Sequence, residues 1–298
     1  MGHGSGRATL RSAAAAGGRS RHCRRDRGRT RAVIRIVLRL LDRVGRAVLR
    51  GIDEFGFGAA LLGEAVFWLA AGGRRRQPVR LAAVVAQAME IGVAALPIVT
   101  VLAATIGVML AIQGLYMLRT FGAESRVTMG IALSTVREFS PLITGILVAG
   151  RSGSALAARL ATMRLNQELD ALTVMGISPV RFLVVPALAA MVVMLPLLTL
   201  WADLVSLAAA GLYVAGAQET TLAAYGGEVA GLLHLDDLMH GLSKAAVFAV
   251  LVAVVGVVNG AGTAGGADEV GRRTTRSVVQ AISALVVTDM LFAFLVAR

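Results

Sequence analysis

At 298 residues, 56% hydrophobic and only 16% charged, with a mean hydropathy of +0.73, the chain is too apolar for a water-soluble domain, in which roughly 25% of residues carry charge. The net charge of +12 does not mark a nucleic-acid binder: residues 1–50 hold fourteen Arg and two acids, while the other 248 residues balance sixteen bases against sixteen acids. Cys23 is the single cysteine, which excludes an intramolecular disulfide, and His3, His22, His234 and His240 lack zinc-ligand spacing, so no metal centre is expected.

Residues 1–31, rich in Arg, Gly, Ser and Ala without apolar periodicity, read as a disordered basic tail. From Ala32 the pattern changes. Arg31, Arg35, Arg39, Arg43, Arg46 and Arg50 recur every three or four residues among Val, Ile and Leu, which suits an amphipathic helix lying on an anionic membrane surface. Residues 52–73 reach the roughly 20 residues a span needs, but Asp53, Glu54, Glu64 and five glycines make a poor lipid-facing helix. They read as a second interfacial or partly embedded helix, so that 32–80 forms an interfacial unit ahead of a five-span domain over 81–298. Apolar runs within 87–118, 127–149, 182–216, 241–261 and 277–296 supply the spans, with Pro97 as a kink and 182–216 as one long tilted helix.

The basic stretches at 74–80, 151–181 and 272–276 fall on one side of such a bundle, and the acidic stretch 217–239, which lacks Lys and Arg, falls on the other. The positive-inside rule then puts the N-terminus in the cytoplasm. The fold class expected is an all-α integral membrane protein, with an N-terminal interfacial amphipathic helix and five transmembrane helices. The polar segment 150–181 between spans two and three carries helix punctuation. Asn166 is placed to cap a short helix, Glu168 and Asp170 sit at its positive end, Leu169 and Leu172 share a face, Gly176 closes it and Pro179 stops it. A short amphipathic helix slung between spans is a docking element or an incidental turn in a solvated loop.

Chemistry-bearing residues are few. Arg137 and Glu138 lie inside the second span, where ionisable groups are costly and face a cavity or a partner. They read either as a polar feature in a substrate pathway or as structural charges paired across helices, for instance through Glu90. Adjacent helix positions diverge by roughly 100°, so the two do not neutralise each other, and Pro141 frees the carbonyl of residue 137. Lys244, the sole lysine, is placed to snorkel to the interface. HGLSKAAV does not supply the Gly-Lys-Ser/Thr of a phosphate-binding loop, so the chain is not its own ATPase by that route. Gly-x-Ser-x-Gly and His-Glu-x-x-His are absent, and an intramembrane hydrolase is a weak reading. A proton-coupled transporter using Glu138 or Asp203 is the stronger alternative, although no internal repeat accompanies it.

The run LVAGRSGSALAARLATMRLNQELDALTVMGISPVRFLVVP, followed by LPLLTLWADL, resembles the MlaE/YrbE permeases of lipid-moving ABC transporters. TVREFSP and RRTTRSVVQAISALVVTDMLF extend the similarity over about residues 50–298. The resemblance implies a non-enzymatic permease subunit in a bacterial inner membrane, working as a homodimer with a cytoplasmic ABC ATPase that binds ATP and Mg. A periplasmic MCE-domain protein and often a STAS-domain protein complete such systems. It implies phospholipid as substrate, with sterol or fatty acid as the alternative, handled between the two copies near the periplasmic side. Matching positions would line that space with Leu110, Gln113, Met117, Leu118, Phe121, Arg137 and Glu138, and would dock the ATPase on Arg164, Gln167, Glu168, Asp170 and Met175. Two departures stand out: Arg159 where many members carry an acid, and Gln167-Glu168 where many read Glu-Gln.

Overall fold

In the computed structural model the described residues are 81–263 and 265–296, most of 51–68, and positions 45 and 49. The basic tail expected over 1–31 and most of the Arg-striped helix expected over 32–50 lie outside them. The chain falls into two units, Met1–Gly56 and Phe57–Arg298. Within the first, residues 51–54 are helical. The second is a helical bundle, with no strand among the described residues.

That bundle begins with α1, residues 57–68. Leu61 and Ala65 are buried in the bundle core, while Val66 and Phe67 face outward. α2 (Leu81–Ile91) and α3 (Leu96–Thr120) follow, separated by a 3₁₀ turn at Val93–Ala95. The break falls just ahead of Pro97, which sits in the first turn of α3 where its missing N–H costs nothing.

The second span is longer than its apolar run. α4 (Val127–Ser134), α5 (Ser140–Val148) and α6 (Ser154–Leu165) form one continuous helix, with single π turns at Thr135–Phe139 and Ala149–Gly153. The first half of the polar segment therefore belongs to the span, and only the hairpin around α7 (Glu168–Val174) projects from it. A π turn at Val180–Val184 leads into α8 (Val185–Gln218), one 34-residue helix with Pro196 inside it. α9 (Leu222–Leu232) occupies the acidic stretch, followed by α10 (Leu235–Ala261) and α11 (Ala267–Val296). Among the described residues five helical stretches are long and apolar enough to cross a membrane: Leu81–Thr120, Val127–Leu165, Val180–Gln218, Leu235–Ala261 and Ala267–Leu295.

α8 runs through the middle, packed against α2, α3, α5 and α10. Met191, Leu195 and Leu198 from it meet Phe248 of α10 and Leu285 of α11 in the core. Since apolar burial gives little drive between helices in lipid, close van der Waals approach has to hold them. Gly256 and Gly260 of α10 face Gly153 and Ala157, so that a Cβ at Gly260 would lie 2.7 Å from the Ala157 carbonyl oxygen and one at Gly256 3.0 Å from that of Gly153. The spacing Gly-xxx-Gly against Gly-xxx-Ala lets the two backbones touch. Because the five spans alternate in direction, α7 and the start of α2 share one end of the bundle. α9, the α3–α4 turn and the end of α11 share the other.

Candidate functional site

The polar cluster of the bundle is built on the first π turn of the second span. Pro141 has no N–H, so the carbonyl of Arg137 loses its helical partner. Lys244 of α10 takes that place, its Nζ donating to the Arg137 oxygen at 3.1 Å. The same ammonium donates to Glu138 Oε2 at 2.7 Å. It also lies 2.9 Å from Asp289 Oδ1 of α11, an ion pair set off the direction of an N–H bond. Lys244 is 0% exposed, so it does not snorkel; the pull of two carboxylates and a freed carbonyl outweighs the interface. Glu138 keeps 40% of its side chain exposed, so the cluster is closed on the lysine side and open on the glutamate side.

Arg137, pointing away from Glu138, reaches Asp237 Oδ1 at 3.7 Å. The other oxygen of Asp237 accepts from the His234 backbone N–H at 3.1 Å and caps α10. Neither Arg137 nor Glu138 pairs with Glu90, which lies toward the α7 end. Lys244 is nine residues into α10 and Asp289 seven from the end of α11, or about 10–14 Å inside the α9 end at ~1.5 Å per residue. His240, one turn before Lys244, packs edge-on to Phe292 at 5.9 Å between ring centroids. Asp203, set deeper in α8, is buried, and its Oδ1 has no hydrogen-bond partner among the described residues.

The other residues named for substrate split in two. Leu110, Gln113, Met117 and Phe121 follow three- and four-residue steps down one face of α3, and the last three are exposed. Leu118 is turned toward Ala111, Leu115, Val127 and Ile131 and packs against that apolar cluster instead. α9 caps this end: Tyr225 is buried against Gly211 of α8, and burial, followed by nearby Glu228, pushes its phenol up to about 12.

At the opposite end the α6–α7 hairpin departs from the expected capping. Asn166 ends α6 and Gln167, in the left-handed region at φ 59, opens α7 with no side-chain cap. Asn166 Nδ2 donates to Glu168 Oε1 at 3.1 Å, and Arg164 pairs with Asp170 at 2.6 Å. Gly176, at φ +75, closes the helix as expected: its N–H donates to Thr173 O at 3.0 Å, and Ile177 N–H to Leu172 O at 2.9 Å. Leu169 faces the bundle, leaving an apolar tip of Val174, 89% exposed, and Met175, 64% exposed. α1 grips the exit of this hairpin. Ser178 Oγ donates to Glu64 Oε1 at 3.0 Å, and the Arg181 guanidinium stacks over Trp68 at 5.2 Å.

The profile of the family described as Permease MlaE matches residues 84–295, from α2 to the end of α11. The chain belongs to the MlaE permease family. It is 33% identical to a probable ABC transporter permease protein of Rickettsia conorii over 73% of this chain and 86% of that one. A similarity of 30%, over 66% of this chain and 76% of the relative, links it to the intermembrane phospholipid transport system permease protein MlaE of Haemophilus influenzae. The chloroplastic protein TRIGALACTOSYLDIACYLGLYCEROL 1 of Arabidopsis thaliana is 31% identical over 63% of this chain and 54% of its own length. As an MlaE-family permease the chain is the membrane component of an ABC transporter, a multi-pass protein whose family character is consistent with lipid transport. Membership displaces the proton-coupled alternative. Sequence reasoning missed Asp237, Asp289 and Val174; Asp289, an acid inside the apolar fifth span, carried the same signal as Glu138.

Proposed function

We propose that two copies of this MlaE-family permease form the path by which an ABC transporter moves phospholipid between the inner membrane and a periplasmic MCE-domain protein. A separate ATPase, binding ATP and Mg, docks on α7 in the cytoplasm and a STAS-domain protein sits on that ATPase, with the N-terminus on the same side. The observation that carries the phospholipid reading is the similarity to the intermembrane phospholipid transport system permease protein of Haemophilus influenzae. The geometry supports it. Glu138 and the exposed residues Gln113, Met117 and Phe121 lie open on a single chain, so a closed chamber needs a second surface, which a second copy supplies. In that chamber the Arg137–Glu138 pair meets the polar headgroup while the α3 face meets the acyl chains.

Purification in mild detergent, followed by mass spectrometry of co-purifying chains and bound lipid, tests the assembly and the substrate. The expected result is a dimeric permease with an ATPase, an MCE protein and phospholipid. Bound sterol or fatty acid in place of phospholipid would overturn the substrate class. Glu138→Gln in the reconstituted complex should lower lipid transfer at least about tenfold while subunits stay associated. An unchanged rate would remove Glu138 from the chamber.

A further inference from the structure

A second polar opening lies at the α7 end, far from the Lys244 cluster, in the cleft between α2 and α6 with α8 as its floor. Glu90 and Gln87 come from α2, Arg151 and Arg159 from the α6 side, and Ile91 and Met191 make the wall apolar at depth. Arg151 Nη1 donates to the backbone oxygen of Glu90 at 3.3 Å. No ion pair joins either arginine to Glu90 or to another carboxylate among the described residues. Two cations and one anion thus face a common opening without neutralising one another.

Depth says what reaches it. Glu90 lies beyond the start of α3, whose twenty-five residues alone extend about 37 Å at ~1.5 Å per residue, and Arg151 is twenty-four residues from Val127, about 36 Å. A hydrocarbon core of about 30 Å, measured from those far ends, stops short of both, which leaves them in the headgroup layer. Guanidinium groups bind phosphate through paired N–H donors, and a carboxylate binds an ammonium.

We propose that the α2–α6 cleft is a binding site for a zwitterionic phospholipid headgroup, with the phosphate on Arg151 and Arg159 and the primary amine on Glu90. The apolar wall of Ile91 and Met191 takes the glycerol and the first acyl carbons. A purely anionic headgroup satisfies the arginines but leaves Glu90 facing a hydroxyl or a second negative charge, so the mixed charge selects the amine-bearing lipid. The site is distinct from the transport chamber and rests on the membrane placement alone, not on what is transported.

The test is native mass spectrometry of the full permease complex, delipidated in detergent and titrated with phosphatidylethanolamine, phosphatidylglycerol or inorganic phosphate. Phosphatidylethanolamine should bind about tenfold tighter than phosphatidylglycerol. Glu90→Gln should erase that preference, and Arg159→Gln should weaken both lipids while Arg159→Lys keeps most of the binding. A photoreactive ethanolamine lipid should cross-link within 81–91 or 151–165, and Glu138→Gln should leave that cross-link unchanged. The proposal is overturned by equal binding to the Arg151→Gln, Arg159→Gln double variant, by cross-links confined to other helices, or by phosphate displacing the lipid at millimolar concentration, which would make this a free-anion site. Glu90, Arg151 and Arg159 are exposed, and unfolding temperatures measured alongside separate lost binding from lost fold.

Discussion

Lys244 shows how a membrane interior tolerates charge. Its ammonium would be very costly alone, yet it lies among Glu138, Asp289 and the carbonyl that Pro141 releases. Removing it leaves Asp289, with only 18% of its side chain exposed, without a counter-ion. Lys244→Met should therefore destabilise the permease by about 3 kcal/mol, the low end for a buried pair because Glu138 is open to solvent. Thermal unfolding in detergent measures this. Adding Asp289→Asn should recover most of the loss in stability but not lipid transfer. A Lys244→Met variant that unfolds at the wild-type temperature would mean that the three groups do not depend on one another. The choice between snorkelling and burial was not legible in the sequence. Nothing in HGLSKAAV tells that two acids more than forty residues away on either side converge on it.

At the scale of elements, the π turns and the glycine seam decide how the second span sits. Arg137 and Glu138, adjacent positions within the first π turn, face different partners, and beyond it Gly153 and Ala157 meet α10. Gly260→Leu drives a branched side chain into the Ala157 backbone and should cost about 1–3 kcal/mol through forced separation of α6 and α10. Lower membrane abundance and a lower unfolding temperature are expected. Gly216→Leu, where a Cβ meets nothing within 4 Å, should leave both unchanged. The α7 hairpin is also an element whose chemistry turned out differently from its letters. Glu168 and Asp170 are engaged by Asn166 and Arg164 while staying exposed, and beside them the hairpin presents an apolar tip of Val174 and Met175.

For the assembled transporter, that tip sets a prediction. Val174→Asp with Met175→Asp should cut ATPase co-purification at least about tenfold, because two exposed apolar side chains at the end of a short helix suit burial in a partner. Reversing Glu168 and Asp170 together should have the smaller effect in the same pull-down. Retention of the ATPase by both variants would remove α7 as its docking element. The grip of Glu64 and Trp68 on Ser178 and Arg181 then ties α1 to whatever α7 does. Weakening it with Trp68→Ala should slow lipid transfer more than ATP hydrolysis, as measured on the same reconstituted complex.

The membrane class, five spans and the hairpin between the second and third follow from the sequence alone. Each rests on local properties: apolar length against bilayer thickness, and glycine and proline at helix ends. Arg137 and Glu138 stood out for the same reason, as charges within an apolar run. What the tertiary structure decided is which groups meet. It joined Lys244 to Glu138 and Asp289, turned Leu118 away from the face of Gln113 and Met117, ran the second helix on to Leu165, and set Arg151, Arg159 and Glu90 around one cleft with no ion pair to a carboxylate among the described residues. Those outcomes depend on helix rotation and on approach between distant segments, through π turns, a proline and a glycine seam. A pairing energy exists only once two helices are in contact, and no single helix contains it.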